Sequence, residues 1–333
     1  MPDKLHLVYV LVSSEKDSYL EQAYVSMFSA KYYMPDVSIT LVVDKPTNES
    51  FFGTRKEEVK YADNILVVDM PEDTDAKKRS RLIKTSLRER IKGDYLFVDT
   101  DTIVVKPLYD ILKTDADIAA CYDLHATFLK DRPNAGMIVT RCSILDFDVS
   151  QEKHYFNSGV MWARDTELAH KFYKMWNDTL KEYWEKGSTF DQPALAKTDS
   201  TLGHVIKPLA PMWNCQLEHG VKYLKDAKVV HYFATSRGDR SQLFVMFDKK
   251  TLTKIKDTGH IPNDVVETVK DPFHGLADTT LLIAGDSVHF AETETYWFAM
   301  RKYGTRKFTK LNNAIILYDA VASKLRRIIR RIF

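Results

Sequence analysis

Asp99 and Asp101 close one short apolar run, Tyr95–Val98, and precede another, Thr102–Val105. A run of this length, bounded by Lys92-Gly93-Asp94, reads as a buried strand. In extended chain, residues i and i+2 point to the same side, so both carboxylates could aim at one point at the strand's end. Two carboxylates there need a cation or hydrogen-bond donors between them. A hard divalent ion that also grips phosphate oxygens meets that need. The plain alternative is a polar strand end facing water, with one Asp capping a turn, since so short a motif also arises by chance.

Other polar residues stand where packing alone has little use for them. Asn157-Ser158-Gly159 interrupts the otherwise apolar Tyr155–Trp162. Polar groups at a core position are costly unless they reach a ligand or cavity. Asp191-Gln192 precedes Pro193. Asp and Pro suit the cap and first turn of a helix, and such a loop can still face a site. With Asp123 and Asn157, these two residues offer carboxylates and amides that can accept from and donate to a polar ligand. His231 follows the apolar pair Val229-Val230. A lone His is more often structural than a ligand, and Arg237 beyond it could be a surface turn residue.

The elements that must position these residues alternate between strand and helix. Leu5–Val12, Ile39–Val43 and Ile65–Asp69 read as strands before the Asp-x-Asp strand. Ser18 can cap a helix starting near Tyr19, with Val25, Phe28 and Ser29 on its buried side. Thr54-Arg55-Lys56-Glu57 has the capping-box pattern. Leu82, Ile83, Leu87 and Ile91 are spaced for a helix over 77–91, with basic residues between them. Ile118–Cys121, Tyr155–Trp162 and Val229–Phe233 read as later strands, and residues 166–184 as an amphipathic helix. Residues 124–153 read as irregular. The alternation predicts an α/β fold, with a mostly parallel sheet covered by helices on both faces.

Composition sets the wider limits. A chain of 333 residues, 44% hydrophobic and 28% charged, is ordinary for a globular protein with a large core. Its net charge of +2 hides an asymmetry. Residues 301–333 hold ten Lys and Arg and one acidic residue, so +9; the other 300 hold 38 basic and 45 acidic residues, so −7. Cys121, Cys142 and Cys215 include no CxxC, which argues against a zinc site or disulfide framework and fits a reducing compartment. The first residues lack a signal-peptide pattern, and no apolar run is long enough to span a membrane. The basic tail alternates with Ile and Leu in a way that suits a helix lying in an anionic membrane surface. An acidic body without a known binding module argues against nucleic acid.

Ser80-Arg81-Leu82, Tyr95–Asp101, Phe156-Asn157-Ser158-Gly159-Val160, Asp191-Gln192-Pro193-Ala194-Leu195 and Val230-His231-Tyr232 stand in an order that resembles glycosyltransferase family 8 over about residues 5–240. The resemblance implies the GT-A fold, a Rossmann-like sheet, and transfer of a hexosyl group from a UDP-sugar with retention of configuration. It implies Mn²⁺, with Mg²⁺ as the alternative ion, held by Asp99, Asp101 and His231. One imidazole with two carboxylates suits Mn²⁺ better than Mg²⁺. Arg237 matches a Lys that grips the diphosphate. Tyr19 matches an aromatic that stacks on uracil, Val12 and Ser13 should lie beside the base, and Thr100 falls with the nucleotide-binding residues. Arg81, Asp123 and Asn157 are placed toward the donor sugar and acceptor, and Asp191 and Gln192 at the reacting centre. Two departures stand near the diphosphate loop: Ala234 replaces a usual Gly, and Arg237-Gly238-Asp239 replaces Lys-Pro-Trp.

The expected organisation is a catalytic domain over 1–245, a C-terminal helical extension over 246–300 on the acceptor side, and the basic tail 301–333. The acceptor would be a glycan or lipid-linked glycan, reached from the cytoplasmic face of a membrane by a peripherally bound enzyme. Two alternatives stand beside this reading. Asp99-Thr100-Asp101-Thr102 also resembles the haloacid-dehalogenase phosphohydrolase motif, with Asp99 as nucleophile. A sugar-binding protein that has lost turnover would keep the same residues.

Overall fold

The computed structural model describes residues 4–71, 74–131, 135–216, 221–232 and 249–272, together with Lys310, Ala314 and Leu317. Seven strands form the central sheet: β1 (His6–Leu11), β2 (Ser38–Asp44), β3 (Asn64–Val68), β4 (Tyr95–Val98), β6 (Ile118–Tyr122), β7 (Phe156–Ala163) and β8 (Ile206–Pro208). Their order is β3-β2-β1-β4-β7-β6-β8. All neighbours pair in parallel except β7, which runs antiparallel to both β4 and β6. The carboxyl ends of β1, β4 and β6 and the amino end of β7 therefore share one edge, where ligands of open α/β sheets bind.

Side-chain alternation loads both faces of this sheet. Leu7, Tyr9 and Leu11 of β1 pack with Leu20, Ala23 and Met27 of helix α1 (Tyr19–Tyr33). Val8 and Val10 pack on the other face with Ile83 of a helix over Ala76–Thr85 and Phe172 and Trp176 of a helix over Glu167–Glu185. The expected mostly parallel sheet with helices on both faces is the fold observed.

The Asp-x-Asp segment departs from its expected form. The strand stops at Val98, the chain turns through Asp99–Asp101, and β5 (Thr102–Val104) leaves for a second sheet. Thr102 Oγ1 closes the turn on the Asp99 carbonyl at 2.7 Å. In that sheet β5 runs antiparallel to β10 (Val229–His231), which pairs in parallel with β9 (Cys215–Gln216). Leu252 and Ile255 of a helix over Lys249–Thr258, and Val265 and Val269 of one over Asn263–Lys270, pack with Ile103 and Val230 of the small sheet.

Local signals were also reassigned. Ser18 makes no cap bond; the Asp17 carboxylate accepts from the Tyr19 amide instead. Thr54 forms no capping box, and its hydroxyl donates to the Lys256 carbonyl. The helix expected over 77–91 breaks at Ser86 into Ala76–Thr85 and Leu87–Arg90. The stretch read as irregular contains a helix, Ala135–Ser143, whose Ile138 and Cys142 pack on Leu129, Val149 and Tyr155.

Candidate active site

The turn after β4 and the end of β10 bring Asp99, Asp101 and His231 together. One ligand atom from each lies within 4.8 Å of the others. The pairing of β10 with β5 sets His231 opposite Thr102, and the Tyr232 amide donates to the Asp101 carbonyl at 3.0 Å. His231 Nε2 stands 3.3 Å from Asp101 Oδ1. The carboxylates thus converge through a turn and not through the i, i+2 alternation of one strand.

A one-way relay of hydrogen bonds fixes the imidazole. Asn157 Nδ2 donates to Asp123 Oδ1 at 2.8 Å, and Asn214 Nδ2 donates to Asn157 Oδ1 at 2.9 Å. That leaves Asn214 Oδ1 to accept from His231 Nδ1 at 3.0 Å. Nδ1 therefore carries a proton, and Nε2 faces the aspartates as a ligand atom should. Gly159 makes room: a Cβ there would sit 2.3 Å from His231 Cε1 and 2.9 Å from Asn157 Oδ1. Asn157 Oδ1 also accepts from the Gly159 amide, so both acceptor directions of that oxygen are used.

Lys84 joins this trio to Asp191. Its ammonium lies 3.2 Å from Asp99 Oδ1, 3.6 Å from Asp191 Oδ2 and 3.0 Å from Ser158 Oγ. Ser158 Oγ donates to Asp191 Oδ2 at 2.9 Å, and Arg81 Nε stands 3.6 Å from Asp191 Oδ1. Asp191 occupies the cap position of the helix Gln192–Thr201 yet makes no cap bond, because its carboxylate is turned to these cations.

The charges follow from the neighbours. Burial pushes the Asp191 carboxyl up, but Lys84, Arg81 and the Ser158 bond outweigh it and hold it below its ordinary value. Desolvation raises Asp99; Lys84 opposes that and Asp101 adds to it. Burial disfavours charge on His231, but Asp101 and then Asp99 prevail and raise its pKa. Two carboxylates and one correctly presented imidazole form a donor set that fits Mn²⁺.

The remaining expected residues are placed less tightly. Arg81 also donates to the Thr189 carbonyl, and Gln192 Nε2 to the Phe156 carbonyl at 3.2 Å. Val12 and Ser13 are buried at the end of β1. The Ser13 amide donates to Thr47 Oγ1, and the Thr47 hydroxyl donates back to the Ser13 carbonyl, so both backbone groups are engaged. Tyr19 is 39% exposed and close enough to Asp101 that, after desolvation and Asp17, that charge raises its hydroxyl pKa. Thr100 is half-exposed in the turn. Arg237, Ala234 and most of 273–333 lie outside the described residues.

Sequence reasoning missed Lys84 and Asn214 as parts of the site. Lys84 stands three positions after Arg81, on one helix face, and that spacing was a usable signal. Asn214 sits in a 3-10 turn, Pro211–Asn214, with nothing local to mark it.

The fold is of the GT-A glycosyltransferase type. The galactosyltransferase LgtC, in complex with donor and acceptor sugar analogs, superposes with a TM-score of 0.52 at 16% identity, over 78% of this chain and 98% of that chain. At that identity the likeness is one of fold. Mouse xyloside xylosyltransferase 1 in its apo form gives 0.48 at 13% identity, over 69% and 98% of the two chains. GlyE of Streptococcus pneumoniae gives 0.46 at 13%, over 81% and 64%. No curated protein sequence matches the chain. Residues 94–237, from the start of the Asp-x-Asp segment to just past His231, match the family model described as Glycosyl transferase family 8. The segment that builds the site is thus similar to glycosyltransferase family 8, and the protein is a glycosyltransferase.

Proposed function

We propose that the enzyme moves a hexosyl group from a UDP-sugar to a glycan or glycolipid acceptor, with Mn²⁺ at Asp99, Asp101 and His231 and with retention of configuration. The observation that carries this reading is the relay Asp123–Asn157–Asn214–His231, which turns Nε2 toward two carboxylates. The bound ion would supply charge stabilisation for the departing diphosphate.

The chain's own residues do the rest. Lys84 and Arg81 keep Asp191 ionised beside the trio, where a carboxylate can stabilise positive charge at the reacting carbon. Asn157 and Asp123 line the same edge and are assigned to the sugar, and Gln192 to its position beside Asp191. Tyr19 and Thr100 are assigned to the nucleotide. Val12 and Ser13 shape that side through side chain and packing, since the Ser13 backbone is already bonded to Thr47. Arg237 keeps its assignment to the diphosphate.

The catalytic unit is assigned to 1–245, with 246–300 as the acceptor-side extension. The charge of 301–333 supports docking on an anionic membrane surface, on the cytoplasmic side. No helix among the described residues is long and apolar enough to cross a membrane.

The test is thermal stability with Mn²⁺ and UDP against Mn²⁺ with ADP, GDP or no nucleotide. A ligand that binds the folded form raises the melting temperature by mass action. A rise that needs both Mn²⁺ and UDP, and is lost in Asp101→Ala, supports the donor site. No rise with any nucleotide at millimolar levels refutes it, and hydrolysis of p-nitrophenyl phosphate would then favour the phosphohydrolase reading. Binding without transfer or slow donor hydrolysis would favour a non-catalytic protein.

A further inference from the structure

Phe190, directly before Asp191, is an exposed aromatic ring with three cations around it. The Arg141 guanidinium lies 3.8 Å from the ring centre, the Lys77 ammonium 5.5 Å and the Arg81 guanidinium 5.9 Å. They come from separate places. Lys77 and Arg81 are on the helix Ala76–Thr85, and Arg141 is on the helix Ala135–Ser143 within the segment read as irregular. Tyr183 Oη anchors the Arg141 backbone by donating to its carbonyl at 2.9 Å.

The carboxylates near this cluster are too few for its charge. Arg81 has Asp191, which it shares with Lys84. Among the described residues, neither Lys77 nor Arg141 has a carboxylate within 4.0 Å. Desolvation lowers the Lys77 pKa and the Arg81 charge adds to that; Asp75 and Asp191 oppose it without cancelling it, and Arg141 adds a smaller push downward. The ring gathers the cations but does not neutralise them.

We propose that Lys77, Arg81 and Arg141, gathered around the ring of Phe190 beside Asp191, form a phosphate-binding subsite for the acceptor. Two guanidiniums and an ammonium offer forked and point donors to the oxygens of a phosphate ester. The proposed function places the donor diphosphate at Asp99, Asp101 and His231, so a phosphate held by this cluster would belong to the other substrate. This inference rests on the glycosyltransferase reading and adds the acceptor's chemistry to it: a saccharide carrying a phosphate or diphosphate ester, free or as a lipid headgroup.

The experiment uses the full chain, metal-free, with inorganic pyrophosphate as the calorimetric probe. Binding to vesicles of phosphatidylcholine with 30% phosphatidic acid, against phosphatidylcholine alone, is measured beside it. Arg141→Gln and the more exposed Lys77→Gln are compared with wild type. Pyrophosphate binding weakened tenfold or more by either variant supports the subsite with a soluble phosphate ester. Vesicle binding weakened to that extent, without pyrophosphate binding, supports it with a lipid headgroup. Absence of both, or binding that neither variant changes, overturns it. Stabilisation by Mn²⁺ and UDP should be the same in both variants as in wild type. Loss of that stabilisation in wild type would refute the donor reading instead, which keeps the two failures distinct.

Discussion

Gly159→Ala should disable the proposed metal site by steric means alone. The added methyl would lie 2.3 Å from His231 Cε1, 2.8 Å from Nδ1 and 2.9 Å from Asn157 Oδ1. Non-bonded carbons settle at about 3.5–4.0 Å, so the imidazole must retreat by more than ~1 Å. It cannot do so and keep both its 3.0 Å bond to Asn214 and its 3.3 Å approach to Asp101. A displacement of about 1 Å in a reacting constellation costs on the order of 100-fold in rate. Loss of a ligand's orienting bonds costs about 10–100-fold in metal affinity. Titration with Mn²⁺, followed by electron paramagnetic resonance, should therefore show affinity at least tenfold weaker. Overpacking should also cost about 1–3 kcal/mol of stability. The paired control is His231→Ala. With the ring gone, Gly159→Ala should cost much less than it does alone, a non-additivity expected of groups in contact. Wild-type Mn²⁺ affinity in Gly159→Ala would refute the assignment of His231 as a ligand.

Three further outcomes follow from the charges. Lys84→Met removes the cation shared by Asp99 and Asp191; Mn²⁺ affinity should rise severalfold, since Asp99 loses a competing partner, while kcat/KM falls about 100-fold, and a fall in both would show that Lys84 only supports the fold. Asp191→Asn should keep Mn²⁺- and UDP-dependent stabilisation but lower transfer about 100-fold or more, and unchanged transfer would remove Asp191 from the reacting centre. Glu58 is buried beside Glu21, Arg55 and Lys256; burial, then the Glu21 charge, push its pKa from 4.5 up to about 8. An acid raised in the folded state holds its proton more tightly there, so its contribution is full below about 4.5 and is lost as pH rises toward 8. That interval of about 3.5 units, at about 1.36 kcal/mol each, bounds the loss at about 5 kcal/mol. Glu58→Gln should therefore gain on wild type by several degrees in melting temperature between pH 5 and pH 8, and a difference that stays flat with pH would contradict the buried protonated carboxyl.

Residues assigned to the site and residues that hold them in place left different traces in the sequence. Asp99, Asp101, Asn157 and Asp191 were legible because each is a polar exception in or beside an apolar run, and such exceptions cost free energy without a purpose. The strand–helix alternation was legible because one strand face packs on α1 and the other on the opposite helices, a pattern local to each segment. The turn at Asp99–Asp101 was not, because the runs before and after it are equally apolar. What ends β4 is the pairing of β5 with a strand about 130 residues later. Lys84 was not singled out among the basic residues of its helix, since hydropathy alone does not separate a buried ion-paired lysine from an exposed one. The helix Ala135–Ser143 was missed because Gly136, Val139, Thr140 and Cys142 are weak helix formers, and packing of Ile138 and Cys142 overrides that. His231 combines both kinds of trace. Its position after a short apolar pair was visible, but Gly159, Asn157 and Asn214, which fix its ring, arrive from β7 and a 3-10 turn that no local pattern connects to it.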